Sequence, residues 1–414
     1  MKLSEELVER GFVYQFSTED LSEILDGGKR TVYLGIDPTA DAIHVGNLVP
    51  YMLLNHLMKD GHKVILLMGG GTALIGDPSG KDSERDFVSV DIVQDRCAKM
   101  EVNVRKIASP EIMFANNYDW LSKLSMVEFL RDVGKHFTVN AMMKKDSVSA
   151  RLASEQGISF TEFSYALLQS YDYYHLHKEY GCDLQIGGSD QWGNIISGVD
   201  YVRRTTGDTV HALTMPLVVD KATGKKFGKS EGNAIWLDSE KTSPYVFYQF
   251  WLNTTDESVV DYLKLFTSLS LEEITDIGKT FADNPGARSA QKKLAYEVTT
   301  FIHGTSVADL AKEVSDILFG EGNISDMSES GKQTLLENAP AIKISIGTSV
   351  VDILVKSELA TSNREARTFI EGGAVTIDGR KISDVEEVIT PESVANGLAL
   401  LKRGKKQLCV LEVE

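Results

Sequence analysis

The chain has 414 residues, 42% of them hydrophobic, with a formal net charge of −17 and three cysteines. Such a length and composition predict a folded polypeptide of two or three domains, with no apolar run long enough to span a membrane. Bulk negative charge argues against general nucleic-acid binding, because phosphate is repelled. Cys97, Cys182 and Cys409 are odd in number and far apart, which argues against a disulfide framework or a CxxC zinc site and for a reducing, cytoplasmic setting. The opening MKLSEELVERGF is charged and amphipathic, without a signal-peptide core. Residues 331–414 hold 11 Lys and Arg against 12 Asp and Glu, so the acidic burden lies before them. Any polyanion would have to be met by local patches, which the C-terminal segment could offer.

In chain order, the first organising stretch is Tyr33 to Asn47, YLGIDPTADAIHVGN. It reads as a buried strand, a Pro38 break and a helix start, and the free N–H groups of a helix start favour an anion. His44 and Asn47 are three apart and can face that anion together. The plain alternative is an ordinary strand–helix unit with a surface histidine. KVILLMGGG is a second buried strand, followed by the glycine-rich loop TALIGDPSGKDSERD and a long amphipathic helix. This order predicts a parallel, Rossmann-like α/β sheet. Residues 108–160 read as mostly helical, and LSMVEFLRDVGKHFTVNAMM carries an apolar stripe that is core or a dimer face. A single helix over Phe160–Tyr180 puts Tyr165, Gln169 and Asp172 on one face. GCDLQIGGSDQWGN is another strand, glycine turn and helix, HALTMPLVV is apolar, and Asp220–Asn233 is hairpin-like.

The expected domains are 1–235, Rossmann-like and catalytic; 236–325, helical; 326–345, a linker rich in Gly, Ser, Asn and Glu; and 346–414, a small α+β module with a hairpin at Asp378-Gly379. Two familiar phosphate motifs fail. Gly69–Leu74 ends in leucine where a dinucleotide fingerprint needs glycine, and Gly224–Ser230 is one residue too short for a P-loop. What remains is the HVGN helix start and the doubly lysine-bearing KFGKS loop, where Lys226 and Lys229 can bring charge to a departing polyphosphate.

PTADAIHVGN, KFGKS, YLGIDPTAD, IGDPSGKDSER, FTEFSYALLQSYDY and LQIGGSDQWGNI, in this arrangement, resemble the bacterial-type tyrosyl-tRNA synthetases, a class I aminoacyl-tRNA synthetase family, over essentially the whole length. HVGN and KFGKS correspond to that family's two signature regions. The resemblance implies roles. Tyr33 and Asp172 bind the phenolic hydroxyl of L-tyrosine, Asp77, Tyr165 and Gln169 surround its ammonium, and Gln191 lies near its carboxylate. Gly188 and Asp190 contact the ATP ribose. His44, Asn47, Lys226 and Lys229 meet the phosphates and the transition state, with Lys81 and Arg85 nearby. Asp37 and Ser230 complete the ATP side. ATP enters as co-substrate with Mg²⁺, and no structural metal is implied.

By the same resemblance residues 346–414 form a small RNA-binding fold, and the partners are tRNA(Tyr) and a second copy of the chain. Arg364, Arg367, Lys402, Arg403, Lys405 and Lys406 are the candidates for RNA phosphates. The chain departs from some relatives at Asn47, in place of a second histidine, at Leu34 and at Pro50, which bears on ATP affinity. Two rival readings stay open: a tryptophan-activating relative, and a non-catalytic RNA-binding paralogue.

Overall fold

The apolar runs of the N-terminal half become neighbouring strands. A computed structural model describes residues 1–414 except 41, 80–87, 156, 219–226, 231–232, 321, 396 and 405–406, and at 229, 230 and 233 the backbone. β1 (Gln15–Phe16), β2 (Thr31–Ile36), β3 (Lys63–Met68), β4 (Met113–Asn116), β5 (Leu184–Gly188) and β6 (His211–Met215) form one sheet, ordered β1-β6-β5-β2-β3-β4. All pairs are parallel except β1 with β6. The central strands are buried nearly throughout, the reason KVILLM and LQIGG are so poor in alternation. The strand order reverses between β2 and β5, where a crevice opens beyond the strand C-termini. β7 (Lys229–Ser230) and β8 (Asn233–Ala234) pair antiparallel, the described part of the hairpin-like stretch.

Helix Phe160–Tyr180 lies beside this crevice. The Ser159 hydroxyl caps it, accepting from Glu162 N at 3.2 Å, and Gly181 at φ +64° ends it. Arg151, from helix Asp146–Leu152, grips Glu162 with hydrogen bonds of 3.0 and 2.7 Å, and both side chains are buried. Breaking such a pair strands a buried charge at a cost of ~3–5 kcal/mol. The clamp therefore fixes where this helix begins. Residues 108–160, expected as mostly helical, also supply edge strand β4. The apolar stripe there is largely not core, since Met126, Val127, Leu130, Val139 and Met143 are exposed.

The chain divides into two compact units, Met1–Lys241 with Thr254–Leu294 and Thr242–Asn253 with Ala295–Glu414. The helices expected as one domain over 236–325 are thus shared out. In the second unit β9 (Ala341–Ile344), β10 (Val375–Ile377), β11 (Arg380–Lys381), β12 (Leu398–Arg403) and β13 (Gln407–Val413) form a sheet ordered β11-β10-β12-β13-β9. Asp378 and Gly379, at φ +48° and +79°, make the β10–β11 turn, as their residue types predict.

Residues 326–345 are not a linker. Helix Glu329–Asn338 buries Leu335, and β9 runs parallel to β13. The polar residues that suggested a linker are caps and solvated positions: the Ser328 hydroxyl accepts from Gly331 N at 3.0 Å. Nor is 346–414 a separate bead, since Leu398, Leu400 and Val410 share a core with Tyr245, Val314 and Ile317 of the same unit.

Candidate active site

A cavity of about 940 Å³ occupies the switch point between β2 and β5. Tyr33, Asp37, His44, Asn47, Asp77, Tyr165, Gln169, Asp172, Gly188 and Gln191, dispersed in the sequence, all line it.

One end is a dry slot. Tyr33 is fully buried on β2, its ring edge-on to Tyr173 at 5.1 Å, and its hydroxyl has no hydrogen-bond partner among the described residues. Asp172 is 2% exposed; its Oδ1 accepts from Trp120 Nε1 and its Oδ2 from Asn117 Nδ2, both at 2.8 Å. Burial pushes the Asp172 carboxyl up to about 7 against the opposing effect of those two donors. Asn117 is itself held, accepting from Gly71 N at 2.7 Å and donating to Thr72 Oγ1 at 3.0 Å. A buried phenol without a partner beside a carboxylate fixed by others is built to pair with a hydroxyl from outside.

Toward the strand ends polar groups gather in two knots. Asp77 accepts from Gln191 Nε2 at 2.6 Å and from Ser79 N at 2.9 Å. Asp37 accepts from the Tyr165 hydroxyl at 3.0 Å and from Thr72 Oγ1 at 2.8 Å. Burial and the carboxylates of Asp37 and Asp77 hold the Tyr165 hydroxyl protonated, well above its usual range. Gln169 adds a buried side-chain oxygen without a partner among the described residues. The Asp77 carboxylate, the Tyr165 phenol and the Gln169 amide oxygen suit an ammonium. A Cβ at Gly188 would meet Asp190 Oδ1 at 2.5 Å, so only glycine lets Asp190 fold back over this turn.

At the far corner HVGN meets KFGKS. Val45 N donates to Ile235 O, and Leu237 N donates to Ile43 O, each at 2.9 Å, bracketing a bridge between His44 and Trp236. Gly46 and Gly228 face each other so closely that a Cβ on Gly46 would lie 2.6 Å from Phe227 O, and one on Gly228 2.7 Å from Gly46 N. Phe227 anchors the approach, packed against Tyr262 and Phe266 at 4.8 and 5.3 Å between ring centres. The two segments thus converge.

One expectation fails in detail. The N–H groups of the HVGN turn are not free for an anion: Val45 N is bonded to Ile235, Gly46 N to His44 Nδ1 at 3.0 Å and Asn47 N to His44 O at 2.8 Å. A tight Val45–Asn47 turn, not an α-helix, begins the segment, and its amides close on themselves. Anion contact therefore falls to side chains. With its Nδ1 accepting from Gly46 N, His44 has its Nε2 left as the ring donor.

Lys81, Arg85, Lys226, Lys405 and Lys406 lie outside the described residues, as do the side chains of Lys229 and Ser230. On helix Asn363–Glu371 Arg364 is exposed and Arg367 pairs with Glu386 at 3.1 Å, while on β12 Lys402 is half-buried, which lowers its ammonium pKa. Arg403 donates to Leu359 O and lies 4.5 Å from the Phe369 ring centre, so it ties the module together. Sequence reasoning missed Asn117, Trp120, Thr72 and Gln185. Asn117 and Trp120 share one short turn, Thr72 and Gln185 lie on two other elements, and no motif marks any of them.

The family model described as tRNA synthetases class I (W and Y) matches residues 26–320, and that described as the tyrosine–tRNA ligase SYY-like C-terminal domain matches 332–411. A tyrosine–tRNA ligase of Streptococcus mutans is 44% identical over 420 residues, covering 99% of this chain and 100% of its own. One from Bacillus velezensis is 46% identical over 416 residues, with 98% of each chain covered. The crystal structure of a C-terminally truncated mitochondrial tyrosyl-tRNA synthetase from Aspergillus nidulans superposes with a TM-score of 0.68 at 33% identity, covering 75% of this chain and 92% of that one. With its crevice, its two converging signature segments and these full-length likenesses, the chain belongs to the class I tRNA synthetases of the tryptophan and tyrosine group.

Proposed function

We infer that this chain is a tyrosine–tRNA ligase. It joins L-tyrosine to ATP as tyrosyl-adenylate, releasing pyrophosphate, and passes the tyrosyl group to the 3′-terminal ribose of tRNA(Tyr). The observation that carries this is the slot: an unpartnered buried phenol, Tyr33, beside the fixed carboxylate of Asp172, in the cavity that His44 and Asn47 also line. A slot for indole would have no use for a second hydroxyl reader, which disfavours the tryptophan alternative.

The substrate carboxylate is already an anion, so no nucleophilic side chain is needed. Asp77, Tyr165 and Gln169 hold the tyrosine ammonium, while Tyr33 and Asp172 hold its ring hydroxyl. Its carboxylate is thereby directed toward the α-phosphate. ATP arrives as its Mg²⁺ complex, a substrate. His44 through Nε2–H, the Asn47 amide, Lys226 and Lys229 meet the charge that moves onto the pyrophosphate, with Lys81, Arg85 and Ser230 around it. Gly188, Asp190 and Asp37 position the nucleoside side. Catalysis comes from alignment and from donors aimed where charge develops.

Phenylalanine would leave Tyr33 and Asp172 unpaired in a dry slot. Tyrosine-activating synthetases as a class discriminate about 10⁵-fold against phenylalanine without editing. The decisive experiment is ATP–pyrophosphate exchange with each of the twenty amino acids. Exchange with tyrosine alone supports the reading; exchange with tryptophan, or tRNA binding without any exchange, refutes it.

Three finer points belong to the same reading. The exposed apolar side chains between Met126 and Phe160 support a homodimer. The helices and the C-terminal sheet serve tRNA, with Arg364 as the foremost phosphate contact. The setting is cytoplasmic, in keeping with three buried free cysteines.

A further inference from the structure

Gln185 has no part in the roles assigned so far. It lies on β5, a central strand whose neighbours Leu184 and Ile186 are buried and apolar. Parallel central strands are ordinarily apolar throughout, so an amide there calls for a reason. Gln185 is 3% exposed, lines the cavity, and its side-chain oxygen is buried without a hydrogen-bond partner among the described residues. Its Cα is in register with that of Tyr33 on the adjacent parallel strand. In-register neighbours project from the same face of a sheet, about 4.8 Å apart. Gln185 thus faces the cavity one strand away from Tyr33, from the same side of the sheet.

A phenolic hydroxyl has one hydrogen and two lone pairs. Asp172 as a carboxylate takes the hydrogen, and the Tyr33 hydroxyl donates to one lone pair. The second lone pair still requires a donor. We propose that Gln185 is a third reader of the substrate's ring hydroxyl and a specificity-determining residue of the slot. Its amide N–H fills the remaining lone pair, and its carbonyl oxygen lies against the electropositive ring edge. The last torsion of glutamine is soft and two-fold, so the amide can present its nitrogen without moving the strand. A ring lacking the hydroxyl leaves the amide unpaired as well as Tyr33 and Asp172, which deepens rejection of phenylalanine. This role rests on the tyrosine-activating function above.

The test is the ratio of kcat/KM for tyrosine to that for phenylalanine in pyrophosphate exchange, in the full chain and in Gln185→Met. Methionine keeps the volume and removes the amide. Tyrosine should lose and phenylalanine gain, lowering the ratio roughly ten- to hundredfold. Gln185→Asn, which keeps a retracted amide, should give an intermediate ratio, and Gln185→Leu repeats the measurement should the methionine variant not fold. Equal loss for both amino acids, with the ratio unchanged, overturns the role and leaves Gln185 a structural residue. An unmodified chain inert toward tyrosine overturns the function and this role together, so the two failures are distinguishable.

Discussion

The two ends of the cavity are assembled in different ways. In the slot the holding runs mainly through side chains: Trp120 and Asn117, from one turn, fix Asp172, and the Thr72 hydroxyl and the Gly71 N–H fix Asn117. At the phosphate corner the backbone does the holding, through the strand-like bonds at Val45 and Leu237 and the near contact of Gly46 with Gly228. The first arrangement suits recognition of a small neutral group, where one missing hydrogen bond decides the substrate. The second suits a segment that must bring charge to a leaving group and then let it go. Mutations at the corner should therefore act on kcat, and mutations in the slot on tyrosine KM and on amino-acid choice.

The largest effect is expected from Lys229→Ala, which in the proposed mechanism removes a cation from the transition state. Tyrosine-dependent exchange should lose ~10²–10³ in kcat, with tyrosine KM nearly unchanged; a comparable rise in KM would erase the distinction between the two ends. Gly46→Ala comes next. Its new Cβ cannot coexist with Phe227 O at 2.6 Å, so KFGKS must retreat. A displacement of about 1 Å costs on the order of 10² in kcat, while tyrosine affinity measured by equilibrium dialysis without ATP should stay as it was.

On the slot side Trp120→Phe deletes one of two donors to Asp172 and should raise tyrosine KM about tenfold, at nearly constant kcat. With that donor gone, burial dominates further and the carboxyl pKa rises. The smallest effect is that of pH on the unmodified chain. Asp172 is held up at about 7, so its ionised fraction grows as pH rises through neutrality. kcat/KM for tyrosine should climb across that range and level off above it, and for phenylalanine, which offers Asp172 no hydrogen, it should fall. The sign for stability is opposite to the sign for tyrosine: a raised folded-state pKa means stability is lost as pH rises from about 4 through about 7. In Trp120→Phe the tyrosine limb should move to higher pH, and an unmoved limb would assign it to another group.

Much of this was legible beforehand. The parallel sheet followed from apolar runs ending in glycine turns. Tyr165, Gln169 and Asp172 followed from helical spacing, and the Asp378-Gly379 hairpin from its turn chemistry. The N–H groups at HVGN were misjudged because an isolated helix start leaves them free, whereas here Ile235 and His44 take them. The stretch 326–345 was misjudged because a capped, solvated helix and a linker share a composition. The apolar stripe after Ser125 was ambiguous for a related reason, since periodicity reports a face and not what covers it.

By itself the sequence determined which residues could do chemistry, because spacing along one helix or strand sets which side chains share a face, and because two signature segments have few other uses. Only the tertiary structure decided that those segments touch, that Trp120 and Asn117 hold Asp172, and that Gln185 stands level with Tyr33. Such relations join residues tens to hundreds of positions apart through sheet order and register, and neither is encoded in the local pattern of the chain.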